Sequence, residues 1–275
     1  MKVLITGGAG LVGSHLLASA PPGVDVEVTW RTAAPPDGVV GHQVELSDGP
    51  STAELLDRVR PDVVVHTAYS LSLARDVVQA TTHVAASCRE TGAAMVHLST
   101  DVVFGGDRAP YVESDPVRPI NGYGRAKVAA EQVVRRAVPD ACITRTSLVV
   151  STAPPDRATQ RLIDAVAAGE HPTLFIDEVR CPIRAVDLAS VLWALLELPR
   201  VERSGVWHLP GPEALTRMQI GTRLLAAAGL DAEHARAGSA REMAEPRPAD
   251  LTLATARATP GPRPRRFDDV DDPVA

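Results

Sequence analysis

The chain has 275 residues, 45% of them hydrophobic and only 3% aromatic, with 28 basic against 34 acidic residues and a formal net charge of −6. That length holds a full α/β core and a smaller lobe, and the charge balance offers no electrostatic case for nucleic acid or an anionic membrane. Cys88, Cys142 and Cys181 stand far apart with no CxxC or Cys/His pattern, so no metal site is expected. No stretch has the length and apolarity of a membrane span, and the chain opens MKVLITGG without a basic segment, apolar run and cleavage site; a cytoplasmic location is the expectation.

Taken in chain order, VLIT at 3–6 reads as a buried strand, GGAGLVG as a turn, and SHLLAS as a helix. VDVEVTW at 24–30 alternates and is rich in branched residues, as a strand requires. A helix at 51–59 leads to an apolar strand at 62–68, a helix at 77–90 ends near Gly92, and AMVHLST at 94–100 is another strand. Tyr123 to Ala137 is a long helical pattern, followed by a strand over 141–150. Strands alternating with helices predict a Rossmann-like, mainly parallel sheet flanked by helices, with right-handed crossovers. Beyond 150 the regularity weakens: helices are expected at 159–168, 187–198 and 216–228, and a strand and turn at 205–211. The expected organisation is a dinucleotide-binding domain over 1–150 and a smaller C-terminal substrate lobe with interleaved core elements over 151–246. A wrapping segment with an acidic tail follows over 247–275, where proline and arginine are dense.

Gly7, Gly10 and Gly13 form GxxGxxG between a strand and a helix, the context a dinucleotide fingerprint needs. Glycine permits the turn and a close approach of phosphate oxygens, while the helix N-terminus, here Leu11, Val12 and Gly13, offers unpaired N–H groups. The second strand ends Thr29-Trp30-Arg31 where an acidic residue would hold the adenosine ribose of NAD. Arg31 suits the 2′-phosphate of NADP, so NADP(H) is preferred and NAD(H) stays open. Glu45 or Asp48 in VELSD could bracket the adenine edge or cap the next helix.

Ser99-Thr100-Asp101 ends a strand, where open parallel sheets place ligands, and Tyr123 and Lys127 are four apart, on one face of a helix. An ammonium near a phenol eases its proton exchange. Thr100, Tyr123 and Lys127 are therefore the catalytic candidates, with Thr100 orienting a substrate carbonyl, Lys127 reaching the nicotinamide ribose and Ser99 on the cofactor side. Lys127 is one of only two lysines in the chain, and Tyr123 one of three tyrosines.

STDVVFGG at 99–106, YVESDPVRPINGYGRAKVAAE at 111–131, RTSLVV at 145–150, RCPIRAVDLA at 180–189 and RPADLTL at 247–253 follow one another along nearly the whole chain. Together they resemble the extended short-chain dehydrogenase/reductase superfamily, and within it the dTDP-4-dehydrorhamnose reductase branch with its STDYVFDG, PxNxYGxxK and RTSWVYG segments. The resemblance implies a reductase of a nucleotide-linked 4-keto-6-deoxysugar, places Ala68 among nucleotide contacts, and gives Val77 where the family has asparagine. It brings the loop after Arg145-Thr146-Ser147 to nicotinamide and substrate, so Asp101, Val102, Ser147 and Leu148 are the substrate-side candidates, and assigns Asp187 to capping a helix at the lobe boundary. Dimers are common in the family, which makes a homodimer an expectation, although the apolar face of helix 123–137 suits core packing equally.

Departures concentrate on the substrate side: Val102 replaces tyrosine, Leu148 tryptophan, Val150 a second aromatic and Ser151 glycine. These changes remove stacking area and hydroxyl donors, so the substrate could differ from the family's. Two other readings stay open: an epimerase or dehydratase with retained NAD, against which the lack of an Asp-Glu pair at Asp101-Val102 weighs, and a non-catalytic NADP-binding regulatory protein, against which Thr100, Tyr123 and Lys127 weigh.

Overall fold

Branched aliphatic residues fill the central strands and are buried on both faces, as a parallel sheet covered by helices on each side demands. The computed structural model describes residues 1–68 and 74–269. Its first half runs β1 (Lys2–Thr6), α1 (Leu11–Ala18), β2 (Asp25–Trp30), β3 (Val40–Gln43), α2 (Gly49–Val59), β4 (Val63–His66), α3 (Ala74–Thr91), β5 (Ala94–Thr100), α4 (Gly122–Ala137) and β6 (Cys142–Thr146). There follow β7 (Val149–Val150), α5 (Arg157–Ala167), β8 (Thr173–Phe175), β9 (Val179–Arg180), β10 (Ile183–Arg184), α6 (Ala185–Glu197), α7 (Arg200–Arg203), β11 (Gly205–Leu209), β12 (Leu215–Thr216), α8 (Arg217–Ala227) and β13 (Arg236–Gly238).

The central sheet has seven strands in the order β11-β6-β5-β4-β1-β2-β3, every pairing parallel. Strand order reverses between β1 and β4, and the crevice outside their carboxyl ends is where such sheets bind ligands. Alternate strand residues feed two cores. Val3, Ile5, Val63, Val65 and Val96 pack under α1 and α6 with Leu16, Leu188 and Leu192. Leu4, Val64, Met95 and Ile143 pack under α2, α3 and α4. The Trp193 indole donates to the Leu16 carbonyl at 3.0 Å, fastening α6 to α1.

Three differences from the sequence expectation have identifiable causes. The strand expected over 141–150 is two: β6 ends at Thr146, and β7 pairs with β10 in a separate ladder. Between them Ser147 turns its hydroxyl inward onto Asp101, which takes the chain out of the sheet. β3 has no apolar alternation and forms because β2 offers it an open edge. Asp187 does not cap α6, which starts two residues earlier; it sits in the first turn and accepts from the backbone N–H and guanidinium of Arg265.

The lobe is built from α5, α8 and the paired two- and three-residue strands β9–β12 and β8–β13. The C-terminal segment wraps both parts. Leu251 and Leu253 are buried with Phe104 and Tyr111, the Arg257 guanidinium lies 3.5 Å from the Trp207 ring centre, and Phe267 is buried in the lobe beside Leu148 and Val150. The end of the acidic tail, 270–275, lies outside the described residues. Among the described residues no helix is long and apolar enough to cross a membrane.

Candidate active site

The glycine turn is closed by backbone. Gly7 has φ +74°, and its carbonyl accepts from the Gly10 N–H at 2.8 Å. A Cβ on Gly13 would collide with that carbonyl, so α1 can approach β1 this closely only with glycine at 13. Gly10 is the N-cap of α1, and among the described residues no side chain caps the helix. Val12 sends its side chain into the core, and Leu11 is half-buried. Among the described residues the positive end of α1 is thus bare of competing side-chain acceptors, the arrangement that receives a pyrophosphate. Ala68 borders this turn: its Cα lies 3.0 Å from where a Gly7 Cβ would sit, and its N–H donates to Thr6 Oγ1. The residues present therefore fit a dinucleotide.

At the outer end of the crevice Arg31 and Glu45 face each other, 3.6 Å apart and each about half exposed. Glu45 also accepts from the Ser47 hydroxyl at 3.0 Å. A phosphate arriving at Arg31 competes with this carboxylate.

At the inner end, Asn121 caps α4 by accepting from the Gly124 N–H at 2.8 Å. Tyr123 is half-buried in the first turn, and Lys127, one turn on, is buried. Lys127 Nζ donates to the Leu98 carbonyl at 2.7 Å, two residues before Thr100 at the end of β5. The 3₁₀ turn 101–103 crosses so near that a Cβ on Gly124 would strike the Val102 carbonyl, which gives the glycine in Tyr-Gly-x-x-Lys a packing reason. Burial pushes the Lys127 ammonium down to about 8, while Glu131 pulls it up.

Thr100 Oγ1 accepts from the Val102 N–H and donates to Asp101 Oδ1 at 3.1 Å. The other Asp101 oxygen accepts from Ser147 Oγ at 2.6 Å, and Ser147 accepts from the Cys181 N–H. Burial raises the Asp101 carboxyl above the usual range. Both Asp101 and Ser147 are buried, and they join the ends of β5 and β6 to the lobe. Ser99 donates to Glu131 at 2.6 Å.

Beneath this edge lies a polar layer. His66 bonds Thr6 through Nδ1 at 2.8 Å and Thr81 through Nε2 at 3.1 Å. His97 stacks on it with ring centres 5.5 Å apart. Burial and the Lys127 charge hold His66 down at about 3 and His97 well below its ordinary value, so both are neutral.

The RmlD substrate binding domain family model matches residues 1–267. The chain belongs to that family. It is 31% identical to the probable low-salt glycan biosynthesis reductase Agl14 of Haloferax volcanii, over 84% of this chain and 82% of that protein. It is 29% identical to the dTDP-4-dehydrorhamnose reductase of Mycobacterium tuberculosis, over 90% and 82%. Among solved structures, a Bacillus anthracis dTDP-4-dehydrorhamnose reductase in complex with NADP superposes with a TM-score of 0.77 at 20% identity, covering 93% of this chain and 90% of that one.

On the lobe side of this RmlD-type fold, the structure groups charged residues to which sequence reasoning gave no role. Buried Glu178 is surrounded by Arg180 at 3.1 Å, Arg217 at 3.9 Å and Arg247, and Arg180 also lies 3.9 Å from Asp101. Asp156 and Glu245 add their charge near Arg217 and Arg247 respectively, and both of these guanidiniums are partly exposed. Arg180 and Arg247 open segments that carry the resemblance, but their convergence with Arg217 on one carboxylate has no local signal. Val102 and Leu148 are half-buried, packed toward the Phe104 and Phe267 clusters respectively. Val77 is buried on α3.

Proposed function

We propose that the chain is an NADPH-dependent reductase that converts the keto group of a nucleotide-linked 4-keto-6-deoxysugar to an alcohol, NADH being the weaker donor. Family membership and the names of both relatives support the reaction class. The observation that carries the chemistry is the buried Lys127 ammonium, fixed to the Leu98 carbonyl one turn from Tyr123 and two residues from Thr100.

The glycine turn, Leu11, Val12 and Ala68 would hold the dinucleotide, with Arg31 toward a 2′-phosphate and Glu45 at the adenine edge. Bound NADPH supplies a hydride to the carbonyl carbon. Tyr123 delivers its phenolic proton to the carbonyl oxygen, and the neighbouring ammonium stabilises the phenolate left behind. The Thr100 hydroxyl, turned from Asp101, donates to the same oxygen and orients it. Lys127 keeps two N–H groups beyond its bond to Leu98, enough to hold a ribose hydroxyl. Asp101 and Ser147 serve the substrate by fixing Thr100 and the loop that carries Leu148. The partly exposed guanidiniums of Arg217 and Arg247 suit a diphosphate. In this reading residues 1–150 bind cofactor, 151–246 receive the sugar, 247–275 wrap both, and the enzyme is a cytoplasmic homodimer.

The test mixes purified protein with NADPH and, separately, dTDP-4-keto-6-deoxyglucose and its 3,5-epimer, following NADPH absorbance and product mass. Oxidation matched by a two-hydrogen mass gain in one sugar is the expected result. Tight NADPH binding without oxidation by either sugar overturns the proposal.

A further inference from the structure

Glu131 lies one turn beyond Lys127 on α4, and its side chain is 3% exposed. It accepts from Ser99 Oγ at 2.6 Å, from Arg145 Nε at 2.9 Å and from Arg145 Nη2 at 2.8 Å. Ser99 immediately precedes Thr100 at the end of β5, and Arg145 opens the Arg-Thr-Ser run that ends β6. One carboxylate therefore ties the helix of Tyr123 and Lys127 to both strand ends that border the site. Arg145 is itself held from the far side by the Phe104 ring, 5.2 Å from its guanidinium.

Charge counting gives this tie a second consequence. From β4 and β5 the titratable groups coupled to Lys127 are His66 and His97, both neutral. From α3 the layer receives Thr81, bonded to His66. The 3₁₀ turn contributes Asp101, already occupied by Ser147 and Thr100. From β6 comes Arg145, turned onto Glu131, and α4 itself supplies Tyr123, Glu131 and Arg135, the last 3.8 Å from Glu131. Glu131, four residues on from Lys127 in the same helix, is thus the carboxylate whose charge opposes the effect of burial on that ammonium. Replacing it by a neutral group would leave Arg145 without its buried carboxylate partner and Lys127 without that opposing charge, an arrangement low-dielectric surroundings penalise heavily.

We propose that Glu131 is a positioning residue of the reaction: it holds the Tyr123–Lys127 helix in register with Thr100 and supplies the counter-charge that keeps the Lys127 ammonium protonated in the site. The inference rests on the reading of Tyr123 and Lys127 as the reactive pair.

The sequence provides a direct readout, because Lys2 and Lys127 are its only lysines. Full-length protein made with carbon-13-labelled lysine gives two side-chain signals whose Cε shifts follow protonation. Lys2, on the surface beside Glu27 and Asp25, is the internal reference. The Glu131→Gln variant keeps the size and an oxygen for Ser99 but loses the charge. Its Lys127 midpoint falls by about one pH unit or more while that of Lys2 stays, and the alkaline limb of kcat/KM moves the same way. Ser99→Ala, which removes a hydrogen bond and keeps the charge, leaves the Lys127 midpoint in place. A folded Glu131→Gln protein with an unmoved Lys127 midpoint overturns the proposal. Should that variant fail to fold, Glu131→Asp draws the carboxylate back by one methylene, and a lowered or unmoved midpoint decides in the same sense. The titration needs no substrate, so a chain that reduces no ketosugar can still sustain the inference, and an active enzyme with an unmoved midpoint defeats it alone.

Discussion

The two halves of this molecule are held together by different physics. Around the glycine turn the work is done by backbone: parallel ladders, a carbonyl accepting across the turn, and a helix end that no side chain caps among the described residues. In the lobe the strands are two or three residues long, and long side chains take over. Arg180, Arg217 and Arg247 converge on Glu178, Arg223 and Arg266 on Glu213, and Arg265 on Asp187. A turn made of backbone tolerates change in side chains; a lobe held by side-chain pairs changes with each of them. Of the departures from the family pattern, Leu148 and Val150 pack with the lobe cluster around Phe267, whereas Val102 packs with Phe104 beyond the end of β5.

The comparison is broken most directly at Tyr123, half-buried in the first turn of α4. Tyr123→Phe removes the phenolic oxygen and nothing else, so hydride transfer should fall by about 10²–10⁴-fold with NADPH affinity unchanged. Single-turnover absorbance and a fluorescence titration separate the two. An equal loss of NADPH affinity would make Tyr123 part of the grip instead of the chemistry.

Acid should act on the sheet half before the lobe. His66 and His97 are neutral when folded, with His66 at about 3 against 6.5 unfolded. Above 6.5 both states are neutral and nothing is lost. As pH falls from 6.5 toward 3 the unfolded chain takes up protons that the folded chain refuses. Stability drops through that window by about 1.4 kcal/mol per pH unit for each histidine. Urea unfolding between pH 7 and 4.5 measures the slope, and His66→Gln should reduce it. A slope unaffected by that change would mean the histidine layer is hydrated enough to charge.

Phe267 sharpens the contrast from the other side. It fills the cluster of Leu148, Val150, Leu215, Ile220 and Leu224, with the Arg223 guanidinium 5.9 Å from its ring. Phe267→Ala should cost about 3 kcal/mol of stability and raise KM for the sugar while leaving NADPH affinity as it was. Loss of both affinities together would show that the lobe and the sheet are one energetic unit.

How much of this was legible in the sequence follows the same division. β5 lies where AMVHLST placed it, and the glycine turn and Tyr-Gly-x-x-Lys helix sit at the sheet edge their spacing required, because those signals are local. The break after Thr146 was not legible. Its cause, Ser147, is tied to Asp101 46 residues away and to Cys181 34 residues away. Glu131 left only a trace, its spacing of four from Lys127. Of the arginines around Glu178, Arg180 and Arg247 open two of the segments that carry the resemblance, but nothing in the sequence marks Arg217 or shows that the three converge.

The smallest expected effect tests where the backbone grip ends and side-chain choice begins. Arg31 and Glu45 lie at the outer end of the crevice and are about half exposed, so solvent screens their pairing and it contributes little to stability. Their consequence is selective. Arg31→Ala should weaken NADPH by about tenfold, the worth of one charge-assisted contact to a phosphate, and leave NADH unchanged. Glu45→Gln should act in the opposite direction, because the 2′-phosphate no longer displaces a carboxylate from Arg31. Fluorescence titration of both cofactors against both variants gives four affinities. If Arg31→Ala weakens NADH as much as NADPH, the arginine shapes the loop instead of reading the phosphate, and cofactor choice belongs, like the rest of the grip, to the backbone.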